Sequence, residues 1–454
     1  MSFINEKFML KTKTAQKLYK YAKDMPIIDY HCHISPQMIA EDYKFKNAFE
    51  LFLGGDHYKW RQIRTMGFDE EQITGSKSDY EKFEAWAATV PYLIGNPLYH
   101  WTHYELKKYF DIDETLSPDT CKMIWDKCNE LLAKDEFSVK NIIRKSNVEV
   151  ICTTDDPMDS LEWHKKIRED GFEVKVLPAF RPDKAVEIGK DTFIPYMELM
   201  GAKTYADVLK TLSEKIAFFH ENGCRVSDHA LEYVPFALGD AEAVFNKKMN
   251  GEALTKEEID IYKTAVLKHC AAEYVKLDWA MQLHIGALRD NNSNMHKKLG
   301  PDTGFDSAND LCIAESLAKF LDNLEIDDGL PKTILYTLNA KDNITLGTLL
   351  GNFQKGPMMG KIQFGSAWWF NDHRDGMEEQ LKALANLGTL GTFIGMLTDS
   401  RSFVSYGRHD YFRRILCNLI GKWVEEGEYP RDEKMLKKII QGISYYNAKE
   451  YFKF

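Results

Sequence analysis

The chain contains 454 residues, of which 44% are hydrophobic and 28% are charged, and this composition excludes an intrinsically disordered protein. Its formal net charge of −10 argues against nucleic acid as a partner, because neutralising phosphates requires a basic surface. No apolar run reaches the roughly 18 residues of a membrane span, and the N-terminus lacks the unbroken apolar core of a signal peptide. Eight cysteines without a C-x-x-C pair predict free thiols. We therefore expect a cytoplasmic protein that binds neither nucleic acid nor membranes.

The first predicted elements are a helix over residues 12–24 and a strand over 27–33, which reads IIDYHCH. In a strand, the period of two places His31 and His33 on one face, about 6–7 Å apart, where both imidazoles can reach one cation. A His-x-His pair at the end of a strand also occurs without a metal, so the pair alone does not establish a metal site. The stretch 36–146 that follows is rich in aromatic and charged residues at helical spacing and predicts a helical insertion subdomain.

From residue 148 onward, predicted strands and helices alternate. Counting from the first strand gives eight strands, at 27–33, 148–154, 172–180, 224–230, 279–288, 333–338, 360–370 and 390–400. Apolar strands that alternate with helices indicate a parallel α/β sheet, and eight such units match a (β/α)₈ TIM-type barrel. A doubly wound open sheet is the alternative, but no glycine-rich nucleotide loop follows the first strand. We predict one barrel domain over 1–454, with the insertion after the first strand and a C-terminal helical extension over 405–454.

Candidate functional side chains follow the predicted strands, at the end where such barrels place their active sites. They are His31, His33, Asp155, Asp156, Arg181, Asp228, His284, Trp368, Asp372, Asp399 and Arg401. Three histidines and one carboxylate (His31, His33, His284 and Asp399) form a donor set that suits a divalent ion such as zinc and leaves a position for water or substrate. A single buried histidine is more often a hydrogen-bonded core residue, but four donors at matching strand ends favour a metal site.

Several of these residues also have a purely structural interpretation. Asp155 and Asp156 precede a proline and could form a turn and a helix cap. Arg181 could pair with a structural carboxylate. One of Trp368 and Trp369 is expected in the core, because neighbouring residues of a strand face opposite sides.

Longer segments carry a resemblance to a known family. The His-x-His pair with a strand-five histidine and a strand-eight aspartate is similar to the amidohydrolase superfamily. Seven segments in order resemble uronate isomerases nearly end to end: PIIDYHCHISP, GGDHYKWRQIRTMG, CTTDDP, AFRPDK, QLHIGALRDNN, GSAWWFND and LTDSRSFVSYGRHDYFRR. One match could be coincidental, whereas seven in the same order could not.

The resemblance implies an aldose–ketose isomerase of hexuronate catabolism. Such enzymes interconvert D-glucuronate with D-fructuronate, and D-galacturonate with D-tagaturonate. A proton leaves C2, an enediol forms and a proton returns at C1, which requires an acid/base group and a group that stabilises charge on the oxygen. The implied cofactor is one divalent metal ion, zinc, and the implied partners are a small sugar acid and further copies of the chain in a homo-oligomer.

The resemblance also implies roles for individual residues. His31, His33 and Asp399 would hold the metal, with His284 as a further ligand or close neighbour. Asp399 would also take a hydroxyl proton when the sugar ring opens. The insertion would contribute Tyr58 to proton transfer and His57 to catalysis and to carboxylate or hydroxyl binding. The other substrate-binding residues would be Arg181, Arg401, Trp368 and Asp228, with Arg401 also catalytic.

The fourth predicted strand departs from the superfamily pattern. It reads VSDHA where a carboxylated lysine or a glutamate often bridges two metals. This favours a single metal ion. Two alternative functions share the same residues, and the first is a metal-dependent hydrolase acting on an amide, lactone or ester of a sugar acid. The absence of a bridging ligand on this strand weakens that alternative. The second alternative is a non-catalytic sugar-acid-binding protein, which would not need Tyr58, Asp399 and Arg401 together.

Overall fold

The computed structural model describes residues 2–327 and 329–454. In these ranges the strands are β1 (Ile27–Asp29), β2 (Val148–Cys152), β3 (Lys175–Leu177), β4 (Val226–Leu231), β5 (Ala280–Ile285), β6 (Ala287–Leu288), β7 (Ser307–Ala308), β8 (Lys332–Thr337) and β9 (Ile362–Phe364). One parallel sheet has the order β1-β2-β3, a second has the order β4-β5-β8-β9, and β6 pairs antiparallel with β7. The α/β fold with parallel sheets is therefore confirmed.

Phe180 joins the two parallel sheets. Its N–H donates to the carbonyl of Val226 (3.1 Å), and its carbonyl accepts from the N–H of Asp228 (2.9 Å). Seven parallel strands thus form one array, and every residue of β5 and β8 is buried. Burial on both faces is usual for the strands of a parallel sheet, and here it includes the polar side chains of Gln282, His284 and Lys332.

The predicted eighth strand over 390–400 is wrong. Leu390–Thr392 forms a 3₁₀ turn, and Gly395 (φ 82°) and Asp399 (φ 46°) leave the extended region, so a regular ladder cannot run through this segment. Among the described residues, 393–400 makes no backbone hydrogen bond with β9. Regular strand pairing therefore does not close the sheet into a barrel.

The same segment is fixed to the chain that follows β1. The N–H of Asp399 donates to the carbonyl of His31 (3.1 Å), and the N–H of His33 donates to the carbonyl of Ser400 (2.9 Å). The predicted first strand was also too long, since β1 ends at Asp29. Both histidines therefore lie in irregular chain that is held beside Asp399.

Helices surround the strands. One helix, α1 (Lys13–Ala22), precedes β1, as predicted. Between β1 and β2 lie α2 (Pro36–Ala40), α3 (Ala48–Leu53), α4 (His57–Thr65), α5 (Asp79–Thr89), α6 (Pro97–Phe110), α7 (Cys121–Leu132) and α8 (Val139–Lys145). The helices that follow are α9 (Glu162–Glu169), α10 (Asp183–Val186), α11 (Phe193–Met200), α12 (Tyr205–Glu221), α13 (Ala241–Met249), α14 (Lys256–Lys276), α15 (Ser293–Leu299), α16 (Ala314–Glu325), α17 (Asn343–Asn352) and α18 (Arg374–Leu387). The chain ends in α19 (Gly407–Glu425), α20 (Glu433–Gln441), a π-helical turn (Gly442–Tyr446) and α21 (Asn447–Phe452).

Local sequence explains where several helices begin. Capping boxes precede two of them: Thr204 with Asp207 caps α12, and Thr255 with Glu258 caps α14, each pair exchanging side-chain and backbone hydrogen bonds. Among the described residues, no helix has the length and apolarity that crossing a bilayer requires. All eight cysteines, which lie in the described ranges, are free thiols as expected.

The helices between β1 and β2 pack on the C-terminal part of the chain. Trp86 and Phe110 from this region share one buried apolar cluster with Phe403 and Leu416. The position of α4, which begins at His57, is therefore set against the segment that carries Asp399 and Arg401.

Candidate active site

Two histidines and an aspartate meet at the carboxyl end of β1. Both His31 Nε2 (3.1 Å) and His33 Nε2 (3.0 Å) approach Asp399 Oδ1, while Trp368 Nε1 donates to Asp399 Oδ2 (2.8 Å). Burial would raise the pKa of Asp399, but hydrogen bonds from His31 and His33 hold it well below its usual range. Asp399 is therefore an anion with both oxygens engaged.

A second group of donors lies beside the first and shares His31. His284 Nδ1 is 2.6 Å from Asp228 Oδ1, and His31 Nδ1 is 4.0 Å from Asp228 Oδ2. Each group offers three ligand atoms that lie within 4.8 Å of one another. We call the five residues together the metal-site cluster: His31, His33, Asp228, His284 and Asp399.

The unpaired atoms of the metal-site cluster fit a cation. His31 Nδ1 and His284 Nε2 are buried without a hydrogen-bond partner among the described residues, a state that is costly unless something else binds them, whereas Asp228 Oδ2 lies 3.2 Å from Arg181 Nη1. Burial lowers the pKa of His33 and of His284, which favours the neutral imidazoles that bind metals. Burial opposes ionisation of Asp228, yet Arg181, His31 and His284 hold its pKa well below the usual range. Burial would lower the pKa of His31, but Asp228 and Asp399 raise it. The neutral imidazoles of His33 and His284 beside ionised carboxylates suit a borderline divalent ion.

Buried polar contacts fix the segment that carries Asp399. Asp29 accepts from the backbone N–H (2.7 Å) and the hydroxyl (2.6 Å) of Thr398. Arg408 donates to the Thr398 carbonyl (2.5 Å) and to Asp372 (2.5 Å). These bonds hold Asp399 in its left-handed conformation, which is unusual for a residue other than glycine.

The first turn of α4 places His57 and Tyr58 beside the metal-site cluster. Asp56 caps this helix by accepting from the N–H groups of Tyr58 and Lys59 (both 3.1 Å). The His57 ring lies edge-on to Trp369, with the ring centroids 5.7 Å apart. Burial and then Arg401 lower the pKa of His57, whereas burial and then Asp399 raise the pKa of Tyr58 well above its usual value. The turn thus presents a neutral imidazole and a protonated phenol.

Three arginines border the space in front of these groups. Asp302 accepts from Arg289 Nη1 (3.0 Å) and Arg401 Nη2 (3.0 Å), and Arg181 Nη1 lies 3.2 Å from Asp228. Among the described residues, Arg289 and Arg401 each donate from a single nitrogen, so their other N–H groups are free for a ligand.

All these groups line one pocket of about 220 Å³, which we call the reaction pocket. Its lining residues are His31, His33, His57, Tyr58, Arg181, Asp228, Ala230, His284, Arg289, Asp302, Trp368, Trp369, Asp399 and Arg401. Every residue that the sequence assigned to catalysis, substrate binding or metal binding is in this set.

Four members of the reaction pocket are not identified from the sequence: Ala230, Arg289, Asp302 and Trp369. Arg289 and Asp302 lie in the long connection between β5 and β8, and only Arg289 falls within a segment that carries the resemblance. Trp369 was expected in the core if Trp368 faced the pocket, but β9 ends at Phe364 and Trp369 has φ 50°, so strand alternation does not apply. Both tryptophans therefore border the pocket.

The aspartates after β2 have a structural role. Asp156 accepts from the N–H of Met158 (2.9 Å) and from the hydroxyl of Tyr196 (2.7 Å), and Asp155 accepts from Thr153 (2.7 Å). Neither aspartate lines the reaction pocket. The turn interpretation of this pair is the correct one.

Side chains that could hold a metal ion, three guanidiniums, a neutral imidazole and a protonated phenol at the edge of a parallel sheet are the groups expected of an α/β enzyme that acts on a small acid. Comparison with known proteins agrees. The family model for glucuronate isomerase matches residues 1–452. A uronate isomerase of Caldanaerobacter subterraneus subsp. tengcongensis is 56% identical over 460 residues, covering 99% of both chains.

Solved structures give the same result. The crystal structure of a uronate isomerase from Thermotoga maritima superimposes with a TM-score of 0.94 at 37% identity and covers 100% of both chains. A glucuronate isomerase from Caulobacter crescentus gives a TM-score of 0.92 at 25% identity, covering 99% of this chain and 97% of that one. The chain belongs to the uronate isomerase family, also called the glucuronate isomerase family.

Proposed function

We propose that the reaction pocket binds a hexuronate and isomerises it by moving a proton between C2 and C1. Membership of the family makes the chain an aldose–ketose isomerase of glucuronate and galacturonate in hexuronate metabolism. The observation that carries the assignment of the site is that the metal-site cluster, His57, Tyr58 and three arginines share a single pocket of about 220 Å³. A cavity of this size suits one small polar substrate rather than a polymer.

The arginines would recognise the carboxylate of the sugar acid. A guanidinium binds a carboxylate through two parallel N–H donors, and Arg289 and Arg401 keep such donors free. Arg401 is 40% exposed and Arg181 is 23% exposed, so Arg401 lies nearer the mouth and Arg181 nearer the floor. We assign the substrate carboxylate to Arg401 with Arg289, and the reacting oxygens to the side of Arg181 and Asp228, with Trp368 as a wall.

The proton-transfer groups follow from their ionisation states. Asp399 is ionised and can take a hydroxyl proton as the sugar ring opens. His57 is neutral and can accept a proton, while Tyr58 keeps its proton and can donate a hydrogen bond to a developing enediolate oxygen. Arg401 is permanently charged and stabilises negative charge beside them.

The metal-site cluster would hold one divalent ion, with His31, His33 and Asp399 as ligands and His284 as a further ligand or close neighbour. We propose zinc, since imidazoles and carboxylates form its preferred donor set. When bound, such an ion supplies a Lewis acid that polarises an oxygen of the substrate or of water.

Three wider assignments accompany this function. We propose that the seven parallel strands and the segment 393–400 correspond to a (β/α)₈ barrel of the amidohydrolase superfamily type, with 36–146 as an insertion and 405–454 as a C-terminal extension. The two hydrogen bonds between the His31–His33 chain and residues 399–400 support this. We also propose a cytoplasmic location and a homo-oligomeric state.

A two-substrate assay tests the function. Purified protein supplied with zinc should convert both D-glucuronate and D-galacturonate to ketoses, detected by NMR. Asp399→Asn should abolish turnover and leave the circular dichroism spectrum unchanged, while Asp126→Asn, an exposed aspartate of α7, should behave as wild type. No ketose from either sugar would refute the proposal, and an active Asp399→Asn variant would refute the role of Asp399.

A further inference from the structure

A buried lysine lies directly behind His57 and Tyr58. Lys59 is 2% exposed, and its ammonium donates to the Phe52 carbonyl (2.9 Å) at the end of α3. The same nitrogen is 3.2 Å from Asp56 Oδ2 and 3.7 Å from Glu105 Oε2 of α6. One ammonium thus links three helices of the region between β1 and β2.

These contacts enclose the turn that carries the two pocket residues. The carbonyl of Phe52 fixes the chain before the turn, and Asp56 caps the helix after it through the N–H groups of Tyr58 and Lys59. Between these anchors lie Gly54 and Gly55, the residue type with the greatest backbone freedom. A turn with this composition needs fixed ends to hold His57 and Tyr58 in one place.

A second cavity of about 370 Å³, which we call the rear chamber, borders the turn and is lined by Lys59, Glu105 and Trp101, among others. Tyr58 packs against the apolar core, but the chamber leaves open space beside the turn. His33, His57, Tyr58, Asp399 and Arg401 line both the rear chamber and the reaction pocket, so the turn is part of a wall between two cavities. The rear chamber is therefore space into which the turn could be displaced.

The ammonium of Lys59 also lies over two aromatic rings, 5.7 Å from the centroid of the Phe52 ring and 5.9 Å from that of Trp86, and a methionine would not reproduce these cation–π contacts. Burial would lower the pKa of Lys59, but Glu105 and Asp56 raise it above its usual value, so the ammonium stays charged. Glu105 Oε2 has no hydrogen-bond partner among the described residues, so its contact with the lysine is purely electrostatic.

We propose that Lys59 is a positioning residue: its ammonium holds the His57–Tyr58 turn against the reaction pocket and keeps it out of the rear chamber. This inference rests on the proposed function, which places His57 and Tyr58 at the substrate. Lys59 itself does not line the reaction pocket and acts through those two residues.

The test compares Lys59→Met with Lys263→Met. Lys263 of α14 is also buried, and its ammonium lies 2.6 Å from the carboxylate of Glu187. Because Lys263 lines neither cavity, it is a matched control for the loss of a buried ion pair. We expect Lys59→Met to lower kcat by about 100-fold, with a smaller change in KM and unchanged zinc content, since small displacements of reacting groups have effects of this size. Lys59→Arg, which keeps a donor for the Phe52 carbonyl, should recover part of kcat.

A second readout does not depend on activity. Amide hydrogen exchange of the peptide 52–60 should be faster in Lys59→Met and unchanged in Lys263→Met. Wild-type kcat and wild-type exchange of this peptide in Lys59→Met would overturn the proposal, whatever the loss of stability. If Lys59→Met does not fold, Glu105→Gln decides: a several-fold lower kcat with faster exchange of 52–60 supports the proposal, and wild-type values overturn it. A wild-type enzyme that produces no ketose refutes the proposed function instead. In that case, the hydrogen-exchange measurement by itself tests whether Lys59 positions the turn.

Discussion

Replacement of Asp29 by Asn tests how the fold supports Asp399. Asp29 is fully buried, and its two oxygens accept from the backbone N–H (2.7 Å) and the hydroxyl (2.6 Å) of Thr398. An asparagine offers one acceptor oxygen, so one charge-assisted hydrogen bond is lost and an amide N–H₂ group faces a former donor. We expect the free energy of unfolding to fall by about 1.5–3 kcal/mol, the usual contribution of a hydrogen bond to a charged group.

The variant should also affect the site, because the next residue, Asp399, has φ 46° and a residue in that conformation needs external support. Urea unfolding followed by circular dichroism measures the stability, and zinc content and kcat measure the site. Thr398→Val removes only the hydroxyl bond to the same carboxylate and should also cost about 1.5–3 kcal/mol. Because both substitutions affect one contact, the double variant should lose less than the sum of the single losses. A wild-type urea midpoint and wild-type kcat for Asp29→Asn would show that these bonds do not hold Asp399.

Three further predictions concern the metal, pH and substrate binding. Removal of divalent ions by a chelator should abolish ketose formation and lower Tm, and added zinc should restore both; full activity of metal-free protein would contradict the assigned cluster. Burial raises the pKa of Asp155 to about 7, so the folded protein retains a proton that the unfolded carboxyl (pKa 3.8) has released. Stability should therefore fall as pH rises from about 4 to about 7, and Asp155→Asn should flatten this fall in urea midpoints; parallel curves would contradict it. Arg401→Met should raise KM about 10-fold or more with little change in Tm, because Arg401 is 40% exposed and its ion pair with Asp302 is partly solvated; an unchanged KM would remove Arg401 from carboxylate binding.

The parts of the fold that were predictable from sequence have local signals. Strands β5 (AMQLHI) and β8 (KTILYT) are buried throughout and consist mainly of apolar and β-branched residues, and α12 and α14 begin with capping boxes. The segment 390–400 is also apolar, but its 3₁₀ turn and the left-handed Gly395 and Asp399 depend on contacts with distant chain. Apolar character therefore identified a buried segment without identifying its backbone conformation.

The functional site likewise contains residues that the sequence identifies and residues that it does not. His31, His33, His284, Asp399 and the HY pair of the insertion could be named because they lie in recognisable motifs. Asp302 could not, because it lies in a long connection with φ 57° and reaches the pocket through ion pairs to Arg289 and Arg401. Asp228 was named as a substrate contact, whereas its place beside His284 and His31 emerges only from the juxtaposition of β4 and β5.

The Asp302 bridge has a consequence for how tightly an acid can bind. Arg401 pairs with Asp302, and Arg289 pairs with Asp302 and also contacts Asp306 (3.3 Å). An incoming carboxylate would therefore bind their free N–H groups beside an anion instead of meeting two unpaired cations. Repulsion from Asp302 would offset part of the attraction, and we expect binding to be correspondingly moderate. A reversible isomerase benefits from this, because aldose and ketose carry the same carboxylate and either one must leave the pocket as readily as it enters.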